Sequence, residues 1–366
     1  MAPPPRRPPE LPEELVEEVL LRIPPADPAR LARAALVSKR WCRLVTVRGF
    51  RRRFRERHRR ATPLLGFLFN RADTAHFVPT SSFRPPRAAD RCRGLLTLHS
   101  EHGRVLLLLH HADWGLNDLL VVWDPITGEH QELPMEPVYP YTSLKSWNRC
   151  DRDHLDCHRG PFLVVFMGTT GVDTFSRVYS SEAGSWSKPR YAPEPYDGFE
   201  LGNSILLANL LYFKIDEEII EYNLVNQEVS LVAMPWRTQQ RCVLMASVDG
   251  GLGFAVVRGD KLQLWELEAG PDTWSLERNI DLGALLPIDA LSVKTQAAGY
   301  ADHEGDGVIF IWTSVGFFTI DLWSDRVEKV GDCRGLYKAV PYVSFCTPAL
   351  AAVPTDEEPG AGASSA

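Results

Sequence analysis

Apolar residues recur along this chain with two different periods, and the change of period falls near residue 60. From Leu11 the apolar positions are Leu15, Val19 and Ile23, with Val16 and Leu20 widening the stripe, while Glu13, Glu14, Glu17 and Glu18 take the other face. That spacing predicts an amphipathic helix with Pro12 in its first turn and acids near its positive end. "IPPADP" stops it, because Pro24 and Pro25 cannot continue the hydrogen-bond ladder. Asp27 before Pro28 then caps a second helix holding Leu31, Ala34 and Ala35. "VSKRWCRLV" opens a third, with Ser38 as cap and Trp41, Leu44 and Val45 on one side. Leu36 and Leu44 are expected to pack the helices on each other. The arginine-rich run Arg48 to Arg60 reads as a solvated helix linking two domains, with Phe50 and Phe54 turned inward at i, i+4. A phosphate-binding or nuclear-import role is the competing reading of that run.

After "ATP" the texture becomes short runs of Val, Leu, Ile and Phe separated by Gly, Asp, Asn and Pro, which are strand signals. One unit recurs: a strand ending in an aromatic, a polar turn, then a strand ending near proline. It reads "VWDPITGEHQELP", "VYSSEAGSWSKP", "EYNLVNQEVSLVAMP", "LWELEAGPDTWSLE" and "IDLWSDRVEKV". Trp123, Tyr179, Tyr222, Trp265 and Ile320 hold equivalent places, 56, 43, 43 and 55 residues apart. A period of about 40 to 50 residues built from hairpins predicts a β-propeller. The longer intervals place insertions around Tyr139 to Gly160 and Leu285 to Gly305. Five units are visible, and pairing "LLGFLFN" with "VSFCTPAL" from the two ends supplies a sixth blade and removes the exposed edges.

Charge divides along the same boundary. Residues 1–60 hold 16 of the 40 Lys and Arg but only 7 of the 47 Asp and Glu, so the remainder is strongly acidic and general attraction to nucleic acid is not expected. Seven scattered cysteines without a C-x-x-C pair read as reduced thiols in cytosol or nucleus. "MAPPPRRPPE" has proline where a signal peptide needs an apolar run, and no window approaches the roughly 18 apolar residues of a membrane helix. Three short helices bury too little surface to be stable alone, so a partner is implied.

"LPEELVEEVLLRIPPADPARLARAALVSKRWCRLV", residues 11–45, resembles an F-box: Leu-Pro, an amphipathic helix, a proline break and a Val-Ser-Lys-Arg-Trp helix. F-boxes bind the Skp-family adaptor of cullin-based ubiquitin ligases. The resemblance therefore implies that Leu11, Pro12, Leu15, Val19, Leu20 and Ile23 dock the first helix, and Leu31, Val37, Ser38 and Trp41 the rest. The remainder is similar to the F-box-associated propeller of large plant F-box families, through "RCRGLLTL", "YSSEAGSWS" and "LYFKIDEEIIEYNL". The expected class is multidomain, a small all-α N-terminal F-box followed by an all-β, kelch-like propeller of six blades. The expected divisions are a disordered 1–10, F-box and linker helix 11–60, propeller 61–353 and a disordered tail 354–366.

Catalytic motifs are sparse. "CDRDHLDCHRG" gathers Cys150, His154, Cys157 and His158 with Asp151, Asp153 and Asp156, but crowds all candidates into one loop, whereas structural zinc sites separate two short pairs. His110, His111, Asp216, Glu217 and Glu218 read as polar loop residues. "GLGFAV" around Gly251 and Gly253 lacks the third glycine and the helix of a dinucleotide site, and no G-x-S-x-G, P-loop or H-E-x-x-H occurs. The expectation is a non-catalytic substrate receptor with no cofactor or metal. Its partners would be a Skp-family adaptor, through it a cullin, and a target protein. A propeller enzyme or carbohydrate-binding propeller with an incidental helical appendage is the alternative.

Overall fold

A computed structural model describes residues 11–58, 63–71, 74–86, 92–109, 119–134, 160–169, 173–192, 204–215, 218–235, 242–268, 270, 273–287, 289–292, 294–301, 307–331 and 339–346. The expected metal loop, His110, His111, Asp216, Glu217, the insertion from Tyr139 to residue 159 and both terminal segments lie outside these residues.

Four helices open the chain: α1 (Glu13–Leu21), α2 (Pro28–Ala35), α3 (Lys39–Thr46) and α4 (Arg48–Arg57). Asp27 and Ser38 cap α2 and α3, their side-chain oxygens accepting from Arg30 N–H at 3.3 Å and Trp41 N–H at 3.1 Å. Val16, Leu20, Leu21, Leu31, Ala35, Leu44 and Val45 form one buried cluster, which also takes in Phe50 and Phe54. The basic helix is therefore a wall of this small core. It connects to the propeller but is not a free linker. Its arginines answer the acids of α1: Arg53 pairs with Glu17, and Arg57 with Glu18 at 3.4 Å.

The strands form six antiparallel sheets. The chain lays down β1 (Leu64–Arg71) and β2 (Thr74–Pro79), then a first complete blade of β3 (Leu95–Glu101), β4 (Arg104–Leu109), β5 (Leu119–Trp123) and β6 (His130–Leu133). A second follows with β7 (Leu163–Thr169), β8 (Thr174–Ser180) and an outer edge broken into β9 (Ser185–Trp186) and β10 (Arg190–Tyr191). The third holds β11 (Ser204–Leu207), β12 (Leu210–Lys214), β13 (Glu218–Asn223) and β14 (Val229–Ala233). The fourth holds β15 (Cys242–Ala246), β16 (Leu252–Arg258), β17 (Lys261–Leu267) and β18 (Trp274–Asp281). The fifth holds β19 (Gln296–Ala301), β20 (Val308–Thr313), β21 (Gly316–Asp321) and β22 (Val327–Gly331). Finally β23 (Val340–Val343) returns to β1, with Gly66 opposite Tyr342 and Leu68 opposite Val340.

The ring follows from period-two patterning in which both faces of each blade are apolar. In β4, Val105 and Leu107 join the core shared with the closing blade, while Leu106 and Leu108 join the core shared with the second blade. Six such clusters sit at the six junctions between neighbouring blades. The last of them sets Phe67 and Phe69 against Phe310, Trp312 and Phe317, completing the circle.

The equivalence of Trp123, Tyr179, Tyr222, Trp265 and Ile320 is structural: each lies on the strand next to the outermost one of its blade. After four of them the chain makes the same turn. Asp124, Ser180, Asn223 and Asp321 carbonyls accept from the N–H four residues on, at 2.8, 2.8, 2.8 and 2.9 Å. The fifth residue of each turn is left-handed, at φ +77 for Gly128, +64 for Gly184, +60 for Gln227 and +55 for Asp325. Outer strands are also stitched across blades, with Trp186 donating to the Pro134 carbonyl and Trp274 to that of Ala233 at 2.8 Å.

Two expectations shift. The closing strand is "VPYV", earlier than "VSFCTPAL" would place it. Pro341 is accommodated because β23 is an edge of its sheet, where a missing N–H leaves no ladder bond unmade. Of the expected insertion from Leu285 to Gly305, residues Gln296–Ala301 are the inner strand β19. "GLGFAV" is strand β16, and a Cβ at Gly253 would stand 2.8 Å from the Trp265 carbonyl oxygen, so that glycine serves close strand packing.

Candidate functional site

The sequence stripe on α1 divides in two. Val16, Leu20 and Leu21 face the helical core, whereas Leu11, Leu15 and Val19, spaced i, i+4, i+8, form an exposed apolar row. Arg40 at the start of α3 reaches Glu13 at 3.9 Å, bringing the α2–α3 corner beside the first turn of α1. At that corner Leu36 and Val37 are exposed, Leu36 at 82%. The expectation that Leu36 packs the helices is thus overturned, and Leu44 alone of that pair is buried. Leu36 is the C-cap residue of α2, beyond the last helical turn, where the 3.6-residue period no longer predicts orientation.

The ten sequence-derived candidates fall into three groups. Leu11, Pro12, Leu15, Val19, Val37 and Ser38 are exposed and available to a partner. Ile23 and Trp41 are half-buried against the helical core, and Leu20 and Leu31 are inside it, each 1% exposed. Ser38 is already used as the cap of α3. Exposed Leu and Val are costly to leave in water singly and gain when a partner covers them together. The surface is apolar with an acidic border from Glu13 and Glu14.

The helical unit is seated on the closing blade. Ser82, just after β2, donates to Asp27 at 2.7 Å, and this bond is the chief reason the Asp27 carboxyl lies below its ordinary range. Phe345, just after β23, meets Phe54 edge-on at 6.3 Å, with the Arg55 guanidinium 5.3 Å above its ring. The described ends of β23 and β2 and the start of β1 lie on this rim. The strand ends bracketing residues 72–73 and 332–338 lie on the opposite one.

Among the described residues no group of three or more His, Cys, Asp or Glu is placed to hold a metal ion. His99 Nε2 stands 3.6 Å from Glu101, and its Nδ1 makes a long contact of 3.5 Å with the Ser204 hydroxyl. No disulfide joins the described cysteines Cys42, Cys92, Cys242 and Cys346. No described helix is long and apolar enough to cross a membrane.

The exposed row on α1 and the corner beside it lie within a segment recognisable by family. Residues 9–53 match the F-box domain. F-box domains typically bind Skp-type adaptors. No curated protein matches the chain. Solved structures similar to it include a chain of a nidogen/laminin complex, at TM-score 0.44 and 10% identity over 77% of this chain and 99% of that one. A quinonprotein alcohol dehydrogenase-like protein from Bacteroides thetaiotaomicron scores 0.42 at 11% identity over 76% of each chain. A functionally unknown protein from Desulfotomaculum acetoxidans scores 0.42 at 10%, over 75% and 84%. Scores this low carry no argument about function.

Proposed function

We propose that this chain is the substrate-receptor subunit of a Skp–cullin–F-box ubiquitin ligase. The observation that carries it is the solvent-exposed apolar row Leu11, Leu15 and Val19 within a matched F-box, flanked by Leu36, Val37 and Ser38. On this reading the adaptor covers that row, and Leu20 and Leu31 support it from beneath, with Ile23 and Trp41 at its margin. The chain then contributes proximity and no nucleophile: a target held on the propeller meets a ubiquitin-conjugating enzyme brought by the cullin, which raises the effective concentration of target lysines. No cofactor is needed for that role. The rim opposite the F-box is the natural place for the target, because loops there are clear of the adaptor. Placement among plant F-box proteins with an F-box-associated propeller belongs to the same proposal and rests on "RCRGLLTL" and "YSSEAGSWS". A cytosolic or nuclear setting follows from that role and agrees with described cysteines that are not joined in disulfides.

The test is affinity purification of the full chain with a Skp-type adaptor, alongside Leu15→Asp. A charge in the centre of a buried contact costs about 2 kcal/mol or more, so recovery of adaptor should fall at least tenfold. Equal recovery with the variant and the parent chain would overturn the proposal. The α4 arginines do not favour a nucleic-acid reading, since Arg52, Arg53 and Arg57 are paired with Glu56, Glu17 and Glu18.

A further inference from the structure

The helical core contains a residue from the far end of the described chain. Phe345 packs with the partly buried Ile23, Ala34 and Trp41 against the cluster of Leu20, Leu31, Phe50 and Phe54, and its ring is set edge-on to that of Phe54. The Arg55 guanidinium lies over that ring. Two residues before Phe345 lies the last residue of β23, the strand whose pairing with β1 closes the propeller, and Ser344 N–H bonds the Pro63 carbonyl at 3.3 Å to hold the exit in line. A second tie comes from the same blade: Ser82 donates to Asp27, the cap of α2, and accepts weakly from Ala29 N–H at 3.4 Å.

We propose that closure of the propeller is what makes the F-box competent to bind its adaptor, with Phe345 as the coupling residue. This rests on the adaptor-docking reading given above. The route is short and physical. Phe345 supports Phe54 of α4, α4 is fixed to α1 through Arg53–Glu17, Arg57–Glu18 and the approach of His58 Nε2 to the Leu21 carbonyl at 2.8 Å, and α1 carries Leu15 and Val19, with Leu11 just ahead of its N-cap. An open ring has no β23 beside β1, so Phe345 is not delivered and α4 loses one wall. A helical unit this small has little stability to spare, so removing one aromatic wall shifts it toward open forms. Binding to an adaptor is then weakened by the fraction of chains in which the docking face is formed. The arrangement couples two sites through an identifiable chain of packed side chains, and only a finished ring presents a finished F-box.

The experiment uses the full chain and has two readouts: hydrogen–deuterium exchange of α1, α3 and α4 amides without adaptor, and the Kd for a purified Skp-type adaptor. Phe345→Ala should raise exchange in α1 and α4 by about tenfold or more while leaving β11–β18 unchanged, and should weaken adaptor binding by a similar factor. Phe345→Leu, which keeps the apolar contact, should recover most of both. Unchanged exchange in α1 and α4 overturns the proposal. Should the alanine variant open the far blades as well, Ser82→Ala decides, because it removes one exposed hydroxyl. It should raise exchange at the start of α2, and unchanged exchange there and in α1 counts against the coupling. If exchange responds as expected but the parent chain binds no adaptor, the coupling stands and the adaptor reading falls. If the parent chain binds adaptor and Phe345→Ala binds it equally, the reverse holds.

Discussion

The Tyr342 hydroxyl donates to the Gly103 carbonyl at 3.1 Å across 239 residues of sequence, joining the closing strand to the β3–β4 turn of the first complete blade. The ring of Tyr342 is wholly buried between Phe77 and Phe83. Tyr342→Phe keeps that packing and leaves the Gly103 carbonyl without its donor. It should lower stability by about 1–3 kcal/mol, read as a smaller midpoint in urea with an unchanged slope. An unchanged midpoint would remove this bond from the closure.

Alkali should destabilise the chain through the same residue and four others. Burial holds the phenols of Tyr342, Tyr212 and Tyr222 protonated beyond their ordinary range, and it pushes the Cys92 and Cys346 thiols up to about 11. Each group has a higher pKa folded than unfolded. The unfolded chain therefore releases protons first, and the stability these groups contribute is present at neutral pH and lost as pH rises. The loss begins near 9 for the thiols and near 10 for the phenols, at about 1.4 kcal/mol per pH unit for each group. Melting temperature measured from pH 8 to 11 should fall with increasing steepness, and less so for Tyr342→Phe.

Close backbone approach leaves no room for a side chain at two glycines. A Cβ at Gly66 would lie 2.5 Å from the Val78 carbonyl oxygen and against the Phe77 ring, and one at Gly299 would meet the Ala339 carbonyl oxygen. Both lie where β1 and β19 flank the closing strand. Gly66→Ala and Gly299→Ala should each cost about 1–3 kcal/mol, whereas Gly184→Ala meets nothing within 4 Å and should cost only its left-handed strain of about 1–2 kcal/mol. Thermal melts of the three variants rank them.

Stability and adaptor binding should separate along α1. Leu20→Ala empties part of a core and should cost about 2–5 kcal/mol of helical-unit stability, weakening adaptor capture as a consequence. Leu15→Ala, at 54% exposure, should change stability by less than about 0.5 kcal/mol while still reducing capture. Exchange protection and adaptor Kd, measured on both variants, test the division. Equal loss of protection in the two would contradict it.

A chain ending at Gly335 lacks β23 and Phe345, leaving the inner edge of β1 without its partner strand. Unpaired strand edges and an uncovered Phe67 face favour association, so this chain should elute as aggregates in size-exclusion chromatography. A soluble monomer that melts like the full chain would refute the closed ring as the source of stability.

Much of this was legible in the sequence because it is written in short-range patterns. The helix caps Asp27 and Ser38 and the inward Phe50 and Phe54 follow from spacing within a few residues, and the repeat anchored by Trp123, Tyr222 and Ile320 from a short unit that recurs along the chain. Four things were not. The side of α1 that faces the core could not be told from Leu15–Val19 and Val16–Leu20, because both rows have the same period. Leu36 looked like core until the helix was seen to end before it. The place of Phe345 in the helical core depends on a partner nearly the whole chain away, and no local pattern reports such a contact. Pro341 also disguised a strand, since only its position at a sheet edge makes proline tolerable there.

The pairing of β1 with β23 sets a clock on the making of this protein. Synthesis at about 5–20 residues per second puts roughly 15 to 55 seconds between the emergence of Leu68 and that of Val340. For most of that interval Phe67 and Phe69 have no Phe310 or Phe317 to cover them, and throughout it the inner side of β1 offers its hydrogen-bonding groups to any passing strand. Until β23 arrives the newborn chain is therefore open to association along β1, and one four-residue strand decides whether the blades made before it become a ring.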